Sequence, residues 1–164
     1  MMPDAGRPLG AETLAQLTRD VLGRGASVRL STRGGSMTPS IRDGDVVRVD
    51  AVRSADLRVG DVILYRDAWG RLLAHRVLGY AGGRGERSVL VVRGDAFRGA
   101  GERILSAWVL GRVVGVERDG RYLPLSGTGA RWCGLVRARA PRGAVRVVRA
   151  LARAQRAAYK AVEE

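Results

Sequence analysis

The sequence is poor in several side chains that commonly define a protein's chemistry. Its 164 residues include one cysteine, Cys133, and one histidine, His75. A single cysteine cannot form an intramolecular disulfide, so the sequence gives no sign of an oxidising compartment. The cysteine and histidine spacing of a zinc finger is missing too, and we expect neither a metal nor a cofactor.

Long hydrophobic runs are also missing. No window approaches the roughly 18 consecutive apolar residues that a membrane-spanning helix requires. Residues 1–10 include Asp4 and Arg7 and have no apolar centre of the kind found in a secretory signal peptide. We therefore expect no transmembrane span and no signal peptide, and a location in the cytoplasm or peripherally on a membrane.

Acidic side chains are few: 16 aspartates and glutamates face 29 lysines and arginines, which gives a formal net charge of +13. The excess suggests an anionic partner, although a general preference for arginine would produce it as well. Nine basic residues and no acidic one lie between Arg131 and Lys160. Their spacing predicts a basic amphipathic helix, which suits an anionic membrane surface or docking on the chain's own domain. Nucleic acid is disfavoured, because aromatic residues are not interleaved with the basic ones.

The rest of the chain alternates short apolar stretches with turns. Leu14, Leu17, Val21 and Leu22 have helical spacing, which predicts a short helix from Ala11 to Leu22. From residue 27 onward the pattern predicts antiparallel strands, with a loop from Phe97 to Arg103. We divide the chain into an N-terminal helical segment (1–26), a mostly β domain (27–126) and a basic helical tail (127–164). The predicted strands are Ser27–Thr32, Val46–Val49, Val62–Tyr65, Leu72–Leu78, Ser88–Val92, Trp108–Glu117 and Arg121–Leu125.

One turn of this domain stands out, because it places Ser36 directly after two glycines. A serine in a turn is ordinarily only a turn residue. The surrounding segments suggest more, since several of them share a Gly-Asp or Gly-x-Val element beside a strand. In chain order they are Gly34-Gly35-Ser36-Met37-Thr38-Pro39 with Gly44-Asp45, then Val59-Gly60-Asp61-Val62, Ala74-His75-Arg76-Val77-Leu78, Val92-Arg93-Gly94-Asp95 and Leu110-Gly111-Arg112-Val113.

These five segments, from roughly Ser27 to Leu125, resemble the signal peptidase superfamily of serine peptidases. The resemblance implies a small antiparallel β-barrel-like catalytic domain of the signal peptidase or LexA-like type, with Ser36 as the nucleophile. The base in this superfamily is a lysine or a histidine. The only lysine, Lys160, lies in the tail, whereas His75 occupies the element in which the endoplasmic-reticulum and archaeal branch has its base.

A carboxylate orients the histidine in that branch. We assign this role to Asp95, with Glu102 as the alternative because the branch has a further aspartate several residues after its Gly-Asp. A turn-shaping role for Asp95 also stays open, since Asp45 and Asp61 follow glycines in the same way. The resemblance further implies that a peptide substrate binds along Gly34, Gly35 and Met37. Gly34 stands where many relatives have a hydroxyl residue that helps to form the oxyanion hole.

The sequence therefore predicts a serine endopeptidase that cleaves a peptide or protein precursor through Ser36 and His75. A LexA-like self-cleaving regulator is disfavoured because the catalytic lysine is missing. The alternative from another class is a catalytically silent domain that binds nucleic acid or an anionic membrane through its arginine-rich tail. Oligomeric state and cleavage consensus stay open.

Overall fold

The computed structural model describes residues 10–83, 85, 87–127, 129–131 and 135. The predicted basic helix falls almost wholly outside these residues, and so does the start of the N-terminal segment. The described part of the chain contains no helix that combines the length and the apolar character needed to cross a bilayer.

One helix, α1 (Ala11–Gly23), precedes eight strands. The prediction of a helix from Ala11 is confirmed, but its buried face differs in part from the predicted one. Leu22 is buried as predicted, and Thr18 is buried as well, whereas Leu17 is 50% exposed. The strands are β1 (Val28–Ser31), β2 (Val46–Asp50), β3 (Val62–Arg66), β4 (Leu72–Tyr80), β5 (Val89–Arg93), β6 (Glu102–Leu105), β7 (Val109–Arg118) and β8 (Arg121–Pro124).

All the strand pairs are antiparallel, and they form one sheet in the order β1-β2-β7-β3-β4-β5-β6. β7 is ten residues long, so it pairs with β2 on one side and with both β3 and β8 on the other. The mostly β prediction is confirmed. The prediction of a barrel is wrong, because the edge strands β1 and β6 do not pair and the sheet stays open. Both edges are short and carry charged residues, which is how exposed sheet edges commonly avoid further pairing.

Apolar side chains fill both faces of the sheet. On one face, α1 and the Ser36 turn cover a cluster that includes Val47, Val62 and Val113. On the other face, Ile63, Tyr65 and Val92 belong to a second cluster, which lies beneath the connection from β2 to β3. This alternation follows from the period of two in each strand, which sends neighbouring side chains to opposite faces.

Strand β6 corrects the predicted loop from Phe97 to Arg103. It pairs with β5, with Val92 opposite Glu102 and Leu90 opposite Ile104. Only Ile104 of its four residues is buried. A short edge strand with one inward side chain has almost no alternation to recognise, and for that reason the sequence pattern does not distinguish it from a loop.

An ion pair between Asp45 and Arg118 lies at the C-terminal end of the segment that contains Ser36. Asp45 is buried and accepts hydrogen bonds from the Arg118 guanidinium at 2.5 and 2.8 Å, and from the Arg42 backbone N–H at 2.7 Å. The hydrogen bonds from Arg118 lower the pKa of Asp45 below its ordinary value, although burial acts in the opposite direction. The Gly-Asp turn is therefore tied to the end of β7.

Replacing Asp45 by asparagine should lower the free energy of unfolding by about 3 kcal/mol at neutral pH, because the Arg118 guanidinium loses its carboxylate. The folded-state pKa of Asp45 lies below the ordinary value of 3.8. The natural chain therefore holds this stabilisation in full above that value and loses it as pH falls through the folded-state pKa.

The measurement is denaturant unfolding of both proteins across acidic and neutral pH, where the difference between them should narrow below about pH 4. Asp119→Asn is a suitable control, because Asp119 is exposed and asparagine tolerates its φ of 52°. Equal stability of the Asp45→Asn variant and the natural chain at neutral pH would contradict the prediction.

Candidate active site

The turn that carries Ser36 combines an exposed backbone with buried anchors. Gly34 and Gly35 are exposed, and Gly34 has a φ of +89°, which favours glycine. The Gly34 N–H donates to the Asp43 carboxylate at 2.7 Å. Behind the turn, Met37 and Ile41 are buried in the cluster beneath α1. The core thus fixes the turn while its glycine backbone faces solvent.

The backbone of Ser36 lies against the end of β5. Its carbonyl oxygen accepts a hydrogen bond from the Ala96 N–H at 2.9 Å. A Cβ atom built on Gly94 would lie 2.4 Å from the same oxygen and 2.9 Å from the Phe97 ring. Only a glycine at position 94 permits this approach, so Gly94 acts as the seat of the Ser36 turn.

His75 lies on β4 beside that seat. β4 and β5 pair with Arg76 opposite Arg93 and Val77 opposite Val92. Gly94 directly follows Arg93, and His75 directly precedes Arg76, so both lie at the same end of this pair. The structure therefore places Ser36 and His75 at one end of the same strand pair, and no hydrogen bond joins their side chains.

The imidazole of His75 is held on its Nδ1 side by two oxygen atoms. Nδ1 lies 2.9 Å from the Tyr65 hydroxyl and 3.1 Å from Oε1 of Glu102. The Tyr65 hydroxyl also donates a hydrogen bond to Glu102. The three side chains come from β3, β4 and β6, and we call them the His75 triangle. Its geometry leaves Nε2 as the ring nitrogen without a partner in the triangle.

The members of the triangle differ in exposure. Tyr65 is fully buried, His75 has 12% of its side chain exposed and Glu102 has 44% exposed. Burial, and after it the hydrogen bond to Glu102, raises the pKa of Tyr65 far above its ordinary value, so the phenol stays a donor. An ion pair as exposed as that of Glu102 contributes only about 0–1 kcal/mol to stability. The fold therefore depends little on the contact between Glu102 and His75.

Asp95 lies elsewhere, in an enclosed ion pair with Arg76. The guanidinium donates to the two carboxylate oxygens at 2.8 and 2.6 Å, and both side chains have at most 1% of their surface exposed. Ser40 donates to the same carboxylate at 2.6 Å, and Arg76 also donates to the Gly60 carbonyl at 2.7 Å. This cluster joins the Ser36 turn, β4, the end of β5 and the entrance to β3.

These contacts correct the predicted role of Asp95. His75 and Arg76 are neighbours on β4, so their side chains project to opposite faces. Asp95 is bonded to Arg76 and therefore makes no hydrogen bond to the imidazole. Glu102 is the carboxylate at the ring. The side chain of Met37 is buried in the core, so any contact it makes with a peptide can come only from its backbone. Gly34 and Gly35 are exposed as a peptide-binding backbone requires.

Tyr65, Arg76 and Ser40 were not among the predicted site residues. A weak signal existed for Arg76, because an arginine in a run of strand residues needs a buried partner. Nothing in the sequence distinguishes Tyr65 from a core aromatic residue of β3. Its hydroxyl finds Glu102 only because β6 returns beside β5.

The backbone around Ser36 also offers hydrogen-bond donors. Within the described residues, neither the Ser36 N–H nor the Met37 N–H donates to a protein acceptor, whereas the N–H groups of Gly34 and Thr38 both do. Free N–H groups beside a nucleophile suit a developing negative charge. Over the same part of the chain, no group of three or more histidine, cysteine, aspartate and glutamate side chains is placed to hold a metal ion.

Replacing Gly94 by alanine should destabilise the fold by about 2 kcal/mol, because the new methyl group would overlap the Ser36 carbonyl and force the turn to move. Thermal or denaturant unfolding measures the change. Gly79→Ala on the paired strand β4 is the matched control, since no atom lies within 4 Å of a Cβ at that position. Equal losses in the two variants would show that Ser36 is not seated on Gly94.

The two carboxylates should respond differently to neutralisation. Asp95→Asn leaves the Arg76 guanidinium buried without its counter-charge and should lower the free energy of unfolding by about 3 kcal/mol. Glu102→Gln removes a half-exposed charge and should cost less than about 1 kcal/mol. Denaturant unfolding of both variants at neutral pH tests this, and the reverse order of stability would contradict the assignment of Asp95 to structure and Glu102 to His75.

Comparison with known proteins does not identify a family. No protein-family model matches the chain, and no curated protein matches it. The function must therefore be inferred from the chemistry of the site itself.

Proposed function

We propose that this chain is a serine endopeptidase of the signal peptidase type, which cleaves a peptide or protein precursor with Ser36 as nucleophile and His75 as general base. The observation that carries the proposal is the contact of His75 Nδ1 with the Glu102 carboxylate at 3.1 Å, at the strand end where Ser36 is seated on Gly94. The resemblance of the sequence segments to that superfamily adds independent support.

A carboxylate at Nδ1 of His75 determines the role of Nε2. Glu102 accepts the Nδ1 proton of the neutral ring, so Nε2 has a free lone pair and acts as the acceptor. When Nε2 takes up a proton, the carboxylate also stabilises the resulting imidazolium. A serine hydroxyl needs such a base, because it is a weak nucleophile at neutral pH.

The proposed reaction begins when Ser36 Oγ bonds to the peptide carbonyl carbon and its proton passes to His75 Nε2. The tetrahedral intermediate collapses as the carbon–nitrogen bond breaks, and Nε2 returns the proton to the leaving amine. Water then attacks the acyl-enzyme and gives its proton to Nε2. The ester bond to Ser36 breaks, and the proton returns to Oγ.

The oxyanion of each tetrahedral intermediate needs donors near Ser36. The N–H groups of Ser36 and Met37 have no acceptor among the described residues, so they suit this role, and the buried anchor of the turn holds them in place. Gly34 has no hydroxyl to add, and its N–H is already bonded to Asp43. In the proposed mechanism, backbone N–H groups alone therefore stabilise the oxyanion.

The exposed glycines favour an extended peptide as substrate. A chain lying along Gly34 and Gly35 meets backbone with no side chain in the way, since a Cβ at Gly34 would contact nothing within 4 Å. An extended peptide can then pair through main-chain hydrogen bonds, as in other cases of strand addition. Small residues beside the cleaved bond are expected from the resemblance to signal peptidases.

We expect Ser36→Ala and His75→Ala each to abolish cleavage, because one removes the nucleophile and the other removes the base. The measurement compares new protein N-termini in host cells that carry the natural chain or one of the variants. Specific N-termini should disappear in both variants while the corresponding precursors accumulate. Their sequences would then reveal the cleavage consensus.

Ser31→Ala serves as the control, because Ser31 is an exposed serine on the neighbouring strand β1. It should leave the set of N-termini unchanged. The proposal is wrong if the sets from Ser36→Ala and His75→Ala both match that of the natural chain while the variants remain folded and equally abundant.

A further inference from the structure

The Glu102 carboxylate is poorly placed to orient His75 without help. It lies on an edge strand, and nearly half of its side chain is exposed. A long side chain in this situation samples several rotamers and can bond to water instead of the ring. The Tyr65 hydroxyl, in contrast, comes from a residue with no exposed surface, and it contacts both partners.

The number of protons in the His75 triangle determines which of its atoms donate and which accept. An ionised carboxylate supplies no proton, and the phenol supplies one. If Nδ1 were bare, two acceptors 3.1 Å apart would have to share the phenol proton. If Nδ1 carries a proton, the phenol donates to Glu102 and Nδ1–H donates to the carboxylate and the phenol oxygen. Every contact is then between a donor and an acceptor.

From this arrangement we infer that Tyr65 is a positioning residue, which holds Glu102 against Nδ1 through its hydroxyl and thereby keeps Nε2 of His75 unprotonated and ready to accept a proton. The catalytic consequence rests on the proposed peptidase function. The tautomer itself is a property of the resting protein and can be measured independently of any substrate.

The packing around the Tyr65 ring holds its hydroxyl group in a fixed position. Its ring packs in the apolar cluster with Ile63, Val92 and Ile104, and its centroid lies 5.8 Å from that of His75 with the planes tilted by 54°. The ring cannot turn its hydroxyl toward solvent without leaving this cluster. The buried phenol therefore supplies the rigidity that the exposed carboxylate does not have.

Nitrogen NMR of the imidazole tests the inference directly, because His75 is the only histidine in the chain. In the natural protein labelled with nitrogen-15 histidine, the neutral ring should show a protonated Nδ1 and a bare Nε2. Tyr65→Phe retains the ring and removes only the hydroxyl. We expect its two nitrogen signals to move toward one another, as the two tautomers mix.

Tyr80→Phe is the matched control. Tyr80 lies on β4, packs against the same apolar cluster and donates its hydroxyl to the Leu57 carbonyl. Its replacement removes the same atom from a similar environment but leaves the His75 triangle intact. The His75 signals of this variant should match those of the natural protein. If Tyr65→Phe also leaves them unchanged while folded, the inference is overturned.

A double-mutant cycle with Glu102→Ala distinguishes positioning from a general loss of structure. In the natural background, Tyr65→Phe should lower kcat by roughly tenfold or more, the effect of losing a hydrogen bond to a charged group, with little change in KM. In the Glu102→Ala background, the same substitution should have little further effect on kcat, because Tyr65 acts through Glu102. Equal losses in both backgrounds would overturn the inference.

The NMR and kinetic experiments also distinguish this inference from the proposed function. If the natural chain cleaves no peptide but Tyr65→Phe still mixes the tautomers, the positioning role stands and the peptidase proposal fails. If cleavage requires Ser36 and His75 but Tyr65→Phe changes neither the nitrogen signals nor kcat, the peptidase proposal stands and the role of Tyr65 fails.

Discussion

The enclosed ion pair between Arg76 and Asp95 is the interaction on which the site depends most. Two charges removed from water are tolerated only when the geometry is good and the remaining donors and acceptors are satisfied. Here Ser40 and the Gly60 carbonyl complete the hydrogen bonding. Because Ser40 belongs to the turn that begins with Ser36, the ion pair fixes that turn to the end of the β4–β5 pair. The position of the candidate nucleophile thus follows from a charge pair on the opposite side of the strand from His75.

A buried carboxylate beside an arginine recurs at each of the Gly-Asp turns. Asp45 pairs with Arg118, Asp61 lies within 3.1 Å of Arg131 and 3.6 Å of Arg112, and Asp95 pairs with Arg76. All three carboxylates are buried. Arg131 thus lies close to the sheet, and Leu135 is buried beside Gly60. Part of the arginine excess therefore serves the interior, and at Asp45 and Asp95 one guanidinium donates two hydrogen bonds to the buried carboxylate.

Much of this architecture could be predicted from the sequence, because it depends on local patterns. The helix from Ala11 and every strand except β6 follow from periodicity and turn residues, with boundaries shifted by one or two positions. The openness of the sheet could not be predicted, since closure depends on whether two strands distant in sequence pair. The sequence does not decide between Asp95 and Glu102 for a related reason. Its strand β6 has one buried side chain, so the element that brings the carboxylate to His75 carries no clear pattern.

The difference between Asp95 and Glu102 shows what separates a structural carboxylate from one suited to orienting a base. Asp95 is enclosed and bound by a guanidinium, so its charge is fully used in holding segments together. Glu102 lies at the sheet edge, where its charge costs the fold little and it contacts a ring that would alternate between neutral and charged states in the proposed mechanism. An exposed carboxylate is mobile, however, and among the described residues the rigid donor that contacts both Glu102 and the ring is the phenol of Tyr65. The site thus combines a solvent-facing edge, which leaves room for a peptide, with a buried aromatic residue that keeps the edge ordered.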